Sequence, residues 1–369
     1  MPLSQHSLAI TDTDAAYSWG LNDVGQLGDN TKDNRSSPVA VVGGFQFSRL
    51  AMGFDHTLGV SINGDGYAWG DNGFGKLGDG TTTQRSSPVA VVGGFQYIQI
   101  MGGLDHSLGI TTNNYGYAWG LNSYGQLGDN TKDNRTSPVS IVGDFNFAQI
   151  AAGYVHSVGV TSDNVAYAWG RNYYGQLGTN NTTDYSSPVA VVGGFQFAQI
   201  VGGHSHTLAL TPDGAPYAWG NNGSGRLGDN TTTNRSSPSL VLGDHEFVQV
   251  AAGYSHSMGL TSDNKVYAWG DNTYGQLGDN SLTSRSTPVE IAGGISFSQI
   301  AAGYIHSLGL SVDGDIYAWG RNTYGQLGDN TVTHRSSPVL VVGDLNFEIL
   351  VDWVGTLSLS AWIPRIFIM

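Results

Sequence analysis

The chain repeats itself every fifty residues. Trp19, Trp69, Trp119, Trp169, Trp219, Trp269 and Trp319 are evenly spaced, and each is followed by glycine. His6, His56, His106, His156, His206, His256 and His306 keep the same interval, as do Asn22 to Asn322, Leu27 to Leu327 and Pro38 to Pro338. No insertion or deletion interrupts the seven copies. A length of 369 residues would otherwise suggest two or three unrelated domains. A fixed period of this size instead points to stacked supersecondary units, a solenoid or a propeller.

One unit is read from residues 146 to 192. Asn146–Ala152 is a short apolar strand ending at Gly153, and His156–Thr161 alternates as a second strand. Asp163-Asn164 fills a two-residue turn, and the same slot holds Asn63-Gly64, Asp213-Gly214 and Asp313-Gly314, the signature of a type I′ hairpin. Ala166–Trp169 is a third strand. A loop rich in Gly, Asn and Thr follows, then Pro188–Val192 as an outer strand whose proline suits an edge. No stretch shows helical spacing of apolar residues. The expected fold is therefore all-β: a seven-bladed β-propeller of four-stranded antiparallel blades. A solenoid would need a polar cap at each end, and neither end offers one. The chain begins inside a unit, at the second strand, while Asn346–Asp352 supplies a surplus first strand. Together they predict a mixed N- and C-terminal blade that closes the ring, so residues 1–352 form the propeller and 353–369 an apolar tail, a candidate for self-association.

Composition narrows the function. Fifteen basic against twenty-nine acidic residues give a formal charge of −14, which argues against a nucleic-acid backbone or an anionic membrane as partner. The absence of cysteine excludes disulfides, thiolate nucleophiles and cysteine-based metal sites. No apolar run reaches eighteen residues, so no helical span is expected, and the first residues lack the pattern of a signal peptide. Surface, virion and cytoplasmic placements are all compatible with this composition.

Ala302–Leu308 (AAG-type turn, then His-Ser-Leu) and Tyr317–Gly328 (Tyr-Ala-Trp-Gly-x-Asn-x-Tyr-Gly-Gln-Leu-Gly) resemble the repeat of the regulator-of-chromosome-condensation family. The resemblance covers residues 5–350 and implies a seven-bladed propeller. The founding member of that family exchanges nucleotide on the small GTPase Ran through an inserted wedge; here no blade carries an insertion. The plant ultraviolet-B photoreceptor uses tryptophans where this chain has Phe54-Asp55, Leu104-Asp105 and Tyr154-Val155. The chain looks more similar to bacterial-type members without insertions, among them secreted inhibitors that bind a protein through an aromatic face.

Asp55-His56 and Asp105-His106, each followed by a hydroxyl residue, suggest fragments of a triad, but a histidine present once per blade is expected to be a buried structural group bonded to turn backbone. The seven tryptophans are read as core. His204 near His206 offers a two-histidine metal pair of low weight. Asp29, Asp79, Asp129, Asp229, Asp279 and Asp329 precede Arg35, Arg85, Arg135, Arg235, Arg285 and Arg335 by six, and the fourth unit replaces both partners, by Thr179 and Tyr185. Joint loss predicts an ion pair pinning the long loop, with calcium as its rival. No glycine-rich loop leads into a helix, so no phosphate cofactor is expected. No metal, no cofactor and no enzymatic activity follow from these patterns.

Positions that differ between units mark a candidate binding face. They are Phe54, Leu104, Tyr154, His204, Tyr254 and Tyr304 after the first strand, and Val24, Phe74, Tyr124, Tyr174, Ser224, Tyr274 and Tyr324 in the long loop. In an up-and-down blade both connections emerge on the same side, which predicts an aromatic rim around the central opening. Such a rim suits a protein or glycan partner. The expectation is a non-enzymatic binding propeller, possible as an adhesion, surface or virion component; the alternative is an intracellular regulator such as an exchange factor for a small GTPase.

Overall fold

The computed structural model describes residues 5–343 and 347–351; Asn346, Asp352 and the 353–369 segment lie outside them. Twenty-eight strands form seven four-stranded antiparallel sheets, and the described residues contain no helix. Blade 1 joins Phe347–Val351 to His6–Thr11, Ala16–Gly20 and Arg35–Ala40, so the ring is closed by both ends of the chain. Leu8 faces Val351 and Ile10 faces Ile349 across that seam. Blades 2 to 7 follow in chain order, from Phe47–Ala90 to Phe297–Leu340.

Two local expectations are corrected. In blade 4 the outer strand is Tyr185–Ala190 and starts three residues earlier than Pro188. Ala168 pairs with Val189 and Gly170 with Tyr185, so Pro188 sits inside a bulge, where its missing N–H breaks no ladder bond. The hairpin turn is not type I′, which needs positive φ at both central residues. Only Asn164 has it (φ 64), and the N–H of Asn164 donates to the Thr161 carbonyl while that of Thr161 donates to the Val165 carbonyl. This is the three-residue hairpin with a left-handed residue at its bulge.

The blades are joined by one repeated set of bonds. The seven repeat tryptophans are all fully buried. Trp119 Nε1 donates to the Lys76 carbonyl of the preceding blade at 2.8 Å, and Ser107 Oγ donates to the same carbonyl at 2.8 Å. His56 of that preceding blade meets Ser107 Oγ through Nε2 at 2.9 Å. The hydroxyl has one proton and directs it to the carbonyl, so Nε2 carries the proton given to the hydroxyl. The same arrangement recurs around the ring, and His306 to Ser7 at 3.0 Å joins blade 7 to blade 1. The repeat histidine is thus structural, but its partner is the hydroxyl of the next blade and not turn backbone. Two glycines of the motif follow directly. A Cβ on Gly153 would sit 2.0 Å from His156 Cε1, and one on Gly128 (φ 69) would meet Trp169 Nε1 at 2.8 Å.

The six Asp–Arg pairs form at 2.7–3.0 Å. Asp29 Oδ2 takes Arg35, while Oδ1 takes the N–H and hydroxyl of Thr31 and the amide of Asn22. Burial pushes the Asp29 pKa up, but the Thr31 hydroxyl, Arg35 and the Thr31 N–H outweigh it and hold the carboxyl below its usual range. With both oxygens engaged by donors, the loop is organised by the arginine. In blade 4 a neutral substitute appears: Asn181 bridges Thr179 Oγ1 and the Tyr185 hydroxyl, each at 3.1 Å.

Two outcomes are expected. A chain ending after Asp352 keeps a cooperative thermal transition, and one ending before Asn346 loses it, because blade 1 is then left with an unpaired strand; equal melting of both would contradict this closure. Acid stability follows from the histidines. Burial above all holds His6, His106, His156, His256 and His306 down to about 3, and His56 and His206 well below the ordinary value. Unfolded histidines take protons near 6.5, so this stability is complete above that pH and is lost as pH falls toward 3. Each group contributes about 1.4 kcal/mol per pH unit in that window. The melting temperature should fall steeply below pH 6, and none of the seven rings should titrate between pH 5 and 8 in NMR spectra.

Candidate functional site

The turns after five of the inner strands are each bonded to the next turn around the axis. The N–H of Phe54 donates to the Gly103 carbonyl, Leu104 to Tyr154, Tyr154 to Gly203, His204 to Gly253 and Tyr254 to Tyr304. This belt aims the side chains that follow toward the centre. Tyr154 and His204 lie 4.2 Å apart by ring centroid, His204 and Tyr254 4.1 Å, and Tyr254 and Tyr304 4.2 Å. Phe54 sits edge-on to both Tyr154 and Tyr304, at 5.7 and 5.6 Å. The expected open rim is thus a packed cluster across the axis. Phe54 and Tyr304 are buried in it, whereas Leu104, Tyr154, His204 and Tyr254 are half-buried.

The loop residues lie elsewhere on the same face. Arg171 covers the Tyr124 ring at 4.8 Å, Arg321 covers Tyr274 at 5.2 Å, and Tyr274 meets His334 edge-on at 5.2 Å. Each of these contacts crosses from one blade to the next. Val24, Tyr124, Tyr174, Ser224, Tyr274 and Tyr324 are half-buried and Phe74 is exposed. The two sets therefore form separate zones, one at the axis and one over the blade borders. Tyr173 is 65% exposed and packs on Tyr174, a contact that the comparison of units did not single out.

Sequence reading also missed the charges between these zones. Lys76 is fully buried, and its Nζ lies 2.7 Å from Asp55, 2.6 Å from Asp71 and 2.5 Å from Asp105. The three carboxylates lie within 4.8 Å of one another, spacing that would suit a cation, and the lysine ammonium supplies it. Burial disfavours the lysine charge, but Asp55, Asp105 and Asp71 outweigh it and hold the pKa above the usual lysine value. Asp55 is pushed up to about 6, first by burial, against the pull of Lys76 and with the aid of Asp71 and Asp105. The signal was available: glutamine stands at this position in five units, lysine in one and arginine in another.

This cluster also settles the triad fragments. Asp55 and Asp105 turn to Lys76, while His56 and His106 bond the hydroxyls of the next blades. Those hydroxyls and imidazoles are buried, which makes the pairs links between blades. The two-histidine pair does not form either, since His206 Nε2 bonds Ser257 and His204 Nδ1 bonds Ser205.

Replacing Lys76 by methionine leaves three carboxylates facing one another. The loss should be about 2–3 kcal/mol near pH 7.5, at or below the low end for a broken buried pair because the carboxylates keep 16–29% exposure. Because protonation relieves the repulsion, the deficit of K76M against the parent should shrink on going to pH 5 in paired denaturant melts. A constant deficit would contradict the assignment.

Comparison with known proteins agrees with this architecture. The model of the RCC1-like domain matches residues 142–351, and models of the regulator of chromosome condensation (RCC1) repeat match 14–60, 63–110 and 117–160, with a second repeat model over 47–76 and 97–126. No curated protein matches the sequence. Among solved structures, human WBSCR16 shares 24% identity at a TM-score of 0.82, over 92% of this chain and 96% of its own. Yeast RCC1 (Prp20), solved bound to Kap60, shares 22% at 0.79 over 93% and 86%. Prp20p from Saccharomyces cerevisiae, solved in work on its binding to Gsp1p and histones, shares 21% at 0.79 over 91% and 88%. With the repeat model over the first part of the chain and the RCC1-like domain model over residues 142–351, this chain belongs to the RCC1-repeat family.

Proposed function

We propose that the protein is a non-enzymatic scaffold that binds a protein partner on the face carrying the axial aromatic cluster. The observation that carries this reading is the continuous run of ring contacts through Tyr154, His204 and Tyr254, tilted and edge-on, half-buried and held by packing on both sides. Preordered aromatic side chains lose little rotamer freedom on binding, which is why such groups dominate interface energetics. Charged groups of both signs lie near these rings: Asp55 and Asp105 by Tyr154, Arg171 and Arg226 by His204. An aromatic centre with charged groups beside it has the anatomy of a protein-binding patch. Solved relatives of the same fold are described as binding proteins, Kap60 in one case and Gsp1p and histones in another.

The test compares faces. The opposite face, where the hairpin turns lie, holds a groove of about 620 Å³ with Val248 in its wall, 43% exposed. A partner captured from the native source is titrated calorimetrically against the parent, the double variant Y154A/Y254A and V248S. Loss of two central aromatics should weaken binding at least tenfold, with V248S unchanged and all three folded by near-ultraviolet circular dichroism. Binding sensitive to V248S and indifferent to the tyrosines would move the site to the hairpin face and overturn the proposal. Capture of a glycan instead of a protein would overturn the choice of partner.

A further inference from the structure

In five units the glutamine of the long loop has one local task. The side-chain oxygens of Gln26, Gln126, Gln176, Gln276 and Gln326 accept the N–H two residues before them, at 2.9–3.0 Å. Blades 2 and 5 depart from this, and in the same way. They carry Lys76 and Arg226 in place of glutamine, and Gly73 and Gly223 three residues earlier. In these two units a different N–H is capped, that of the glycine, by Asp71 Oδ2 at 3.1 Å and by Asn221 Oδ1 at 2.9 Å. Lysine and arginine carry no side-chain acceptor, so neither makes the loop bond of the glutamine and each long cationic side chain turns elsewhere.

The two cations meet opposite surroundings. Lys76 finds three carboxylates, those of Asp55, Asp71 and Asp105. The corresponding positions about Arg226 are Ser205, Asn221 and Ser255, and none of them is an anion. Arg226 is only 7% exposed and forms no ion pair among the described residues. Nη1 donates to the Tyr254 carbonyl at 3.0 Å, Nε is buried without a partner, and Nη2 lies beside the Gly223 turn. Asp271, which acts on Arg226 through its charge, is already bonded by Thr273 and Gln276. Burial pushes the Arg226 pKa down, and the charges of Arg226 and Arg171 both help to depress that of His204, the marks of a positive field without its counter-ion. The approach is also different here. Five other units place Phe or Tyr two residues before this position and one places Val, whereas blade 5 has Ser224.

A buried guanidinium with one hydrogen bond and no anion is poorly satisfied, and a ligand that brings an anion would complete it. We propose that Arg226 is a carboxylate-binding site on the axial face, taking the anion along the guanidinium edge that carries Nε and Nη2. The chain already uses this edge internally, where Nε and Nη2 of Arg35 hold Asp29 at 3.0 and 2.8 Å. That the carboxylate belongs to an acidic side chain of a docked protein rests on the function proposed above; the anion site itself does not.

Sodium acetate is the probe. The Arg226 Nε–H resonance, assigned by its absence in R226Q, is followed during titration with acetate and with chloride at matched ionic strength. R226Q is expected to fold, because it installs the residue that five sibling units carry. A saturable shift with acetate, at least tenfold tighter than with chloride, and a rise in melting temperature that R226Q lacks, are expected. R226K, which keeps the charge and loses the two-donor edge, should weaken acetate binding at least fivefold. No saturable shift, or an equal acetate response in R226Q, would overturn the site. The docking function fails on a different result, the indifference of the partner to Y154A/Y254A.

Discussion

The carbonyl at residue 26 of each unit and its equivalents holds the ring together. It accepts two hydrogen bonds from the next blade, one from the tryptophan indole and one from the hydroxyl that follows the repeat histidine. The histidine of its own blade then donates to that hydroxyl through Nε2, so the carbonyl, the indole and the hydroxyl are all engaged. Every group in the set is buried, where an unmatched polar atom costs far more than a matched one returns. This explains why histidine, hydroxyl, tryptophan and the glycines beneath them change least between units. Each position serves an interaction with a neighbouring blade, and a change in one unit leaves a polar group stranded in the next.

The fold was legible because a fifty-residue period and a surplus strand at one end leave few ways to bury seven identical faces. Local geometry was less so. Asp-Asn and Asn-Gly permit positive φ at two positions, yet only one adopts it, and the choice is made by the ladder bonds of the flanking strands. Pro188 signals an edge correctly, but strand pairing resumes on its N-terminal side because a bulge absorbs the residue without an N–H. The histidine was recognised as structural from its sevenfold recurrence alone. Its partner was misassigned because a period of fifty gives distances along the chain and says nothing of which blade faces which.

The candidate face shows the same division. Variation between units marked positions that gather on one side of the blades, as blade topology implies. That the rings would meet across the axis depends on the belt of turn hydrogen bonds, which sequence does not reveal. The Asp–Arg pairs were readable because the fourth unit lost both partners together. The Lys76 cluster and Arg226 carry an equally clear mark, the joint arrival of a cation and a glycine in two units only. Aromatic variation drew attention away from it.

A propeller of near-identical blades presents a face with almost no direction. Aromatic residues around the axis would accept a partner in any of several rotations, since stacking is nearly indifferent to them. Charge breaks that degeneracy. Blades 2 and 3 place three carboxylates about one lysine, a local excess of negative charge, while blade 5 places a guanidinium without a counter-ion beside His204. Both departures lie in the connections at one end of the sheets and leave the blade-joining bonds intact: Ser107 and Trp119 still bond the Lys76 carbonyl, and Ser257 and Trp269 the Arg226 carbonyl. Backbone at this position serves the fold while the side chain is free to vary. Repetition thus supplies stability through main-chain acceptors, and individuality enters through side chains at the same residues without disturbing the bonds that join the blades.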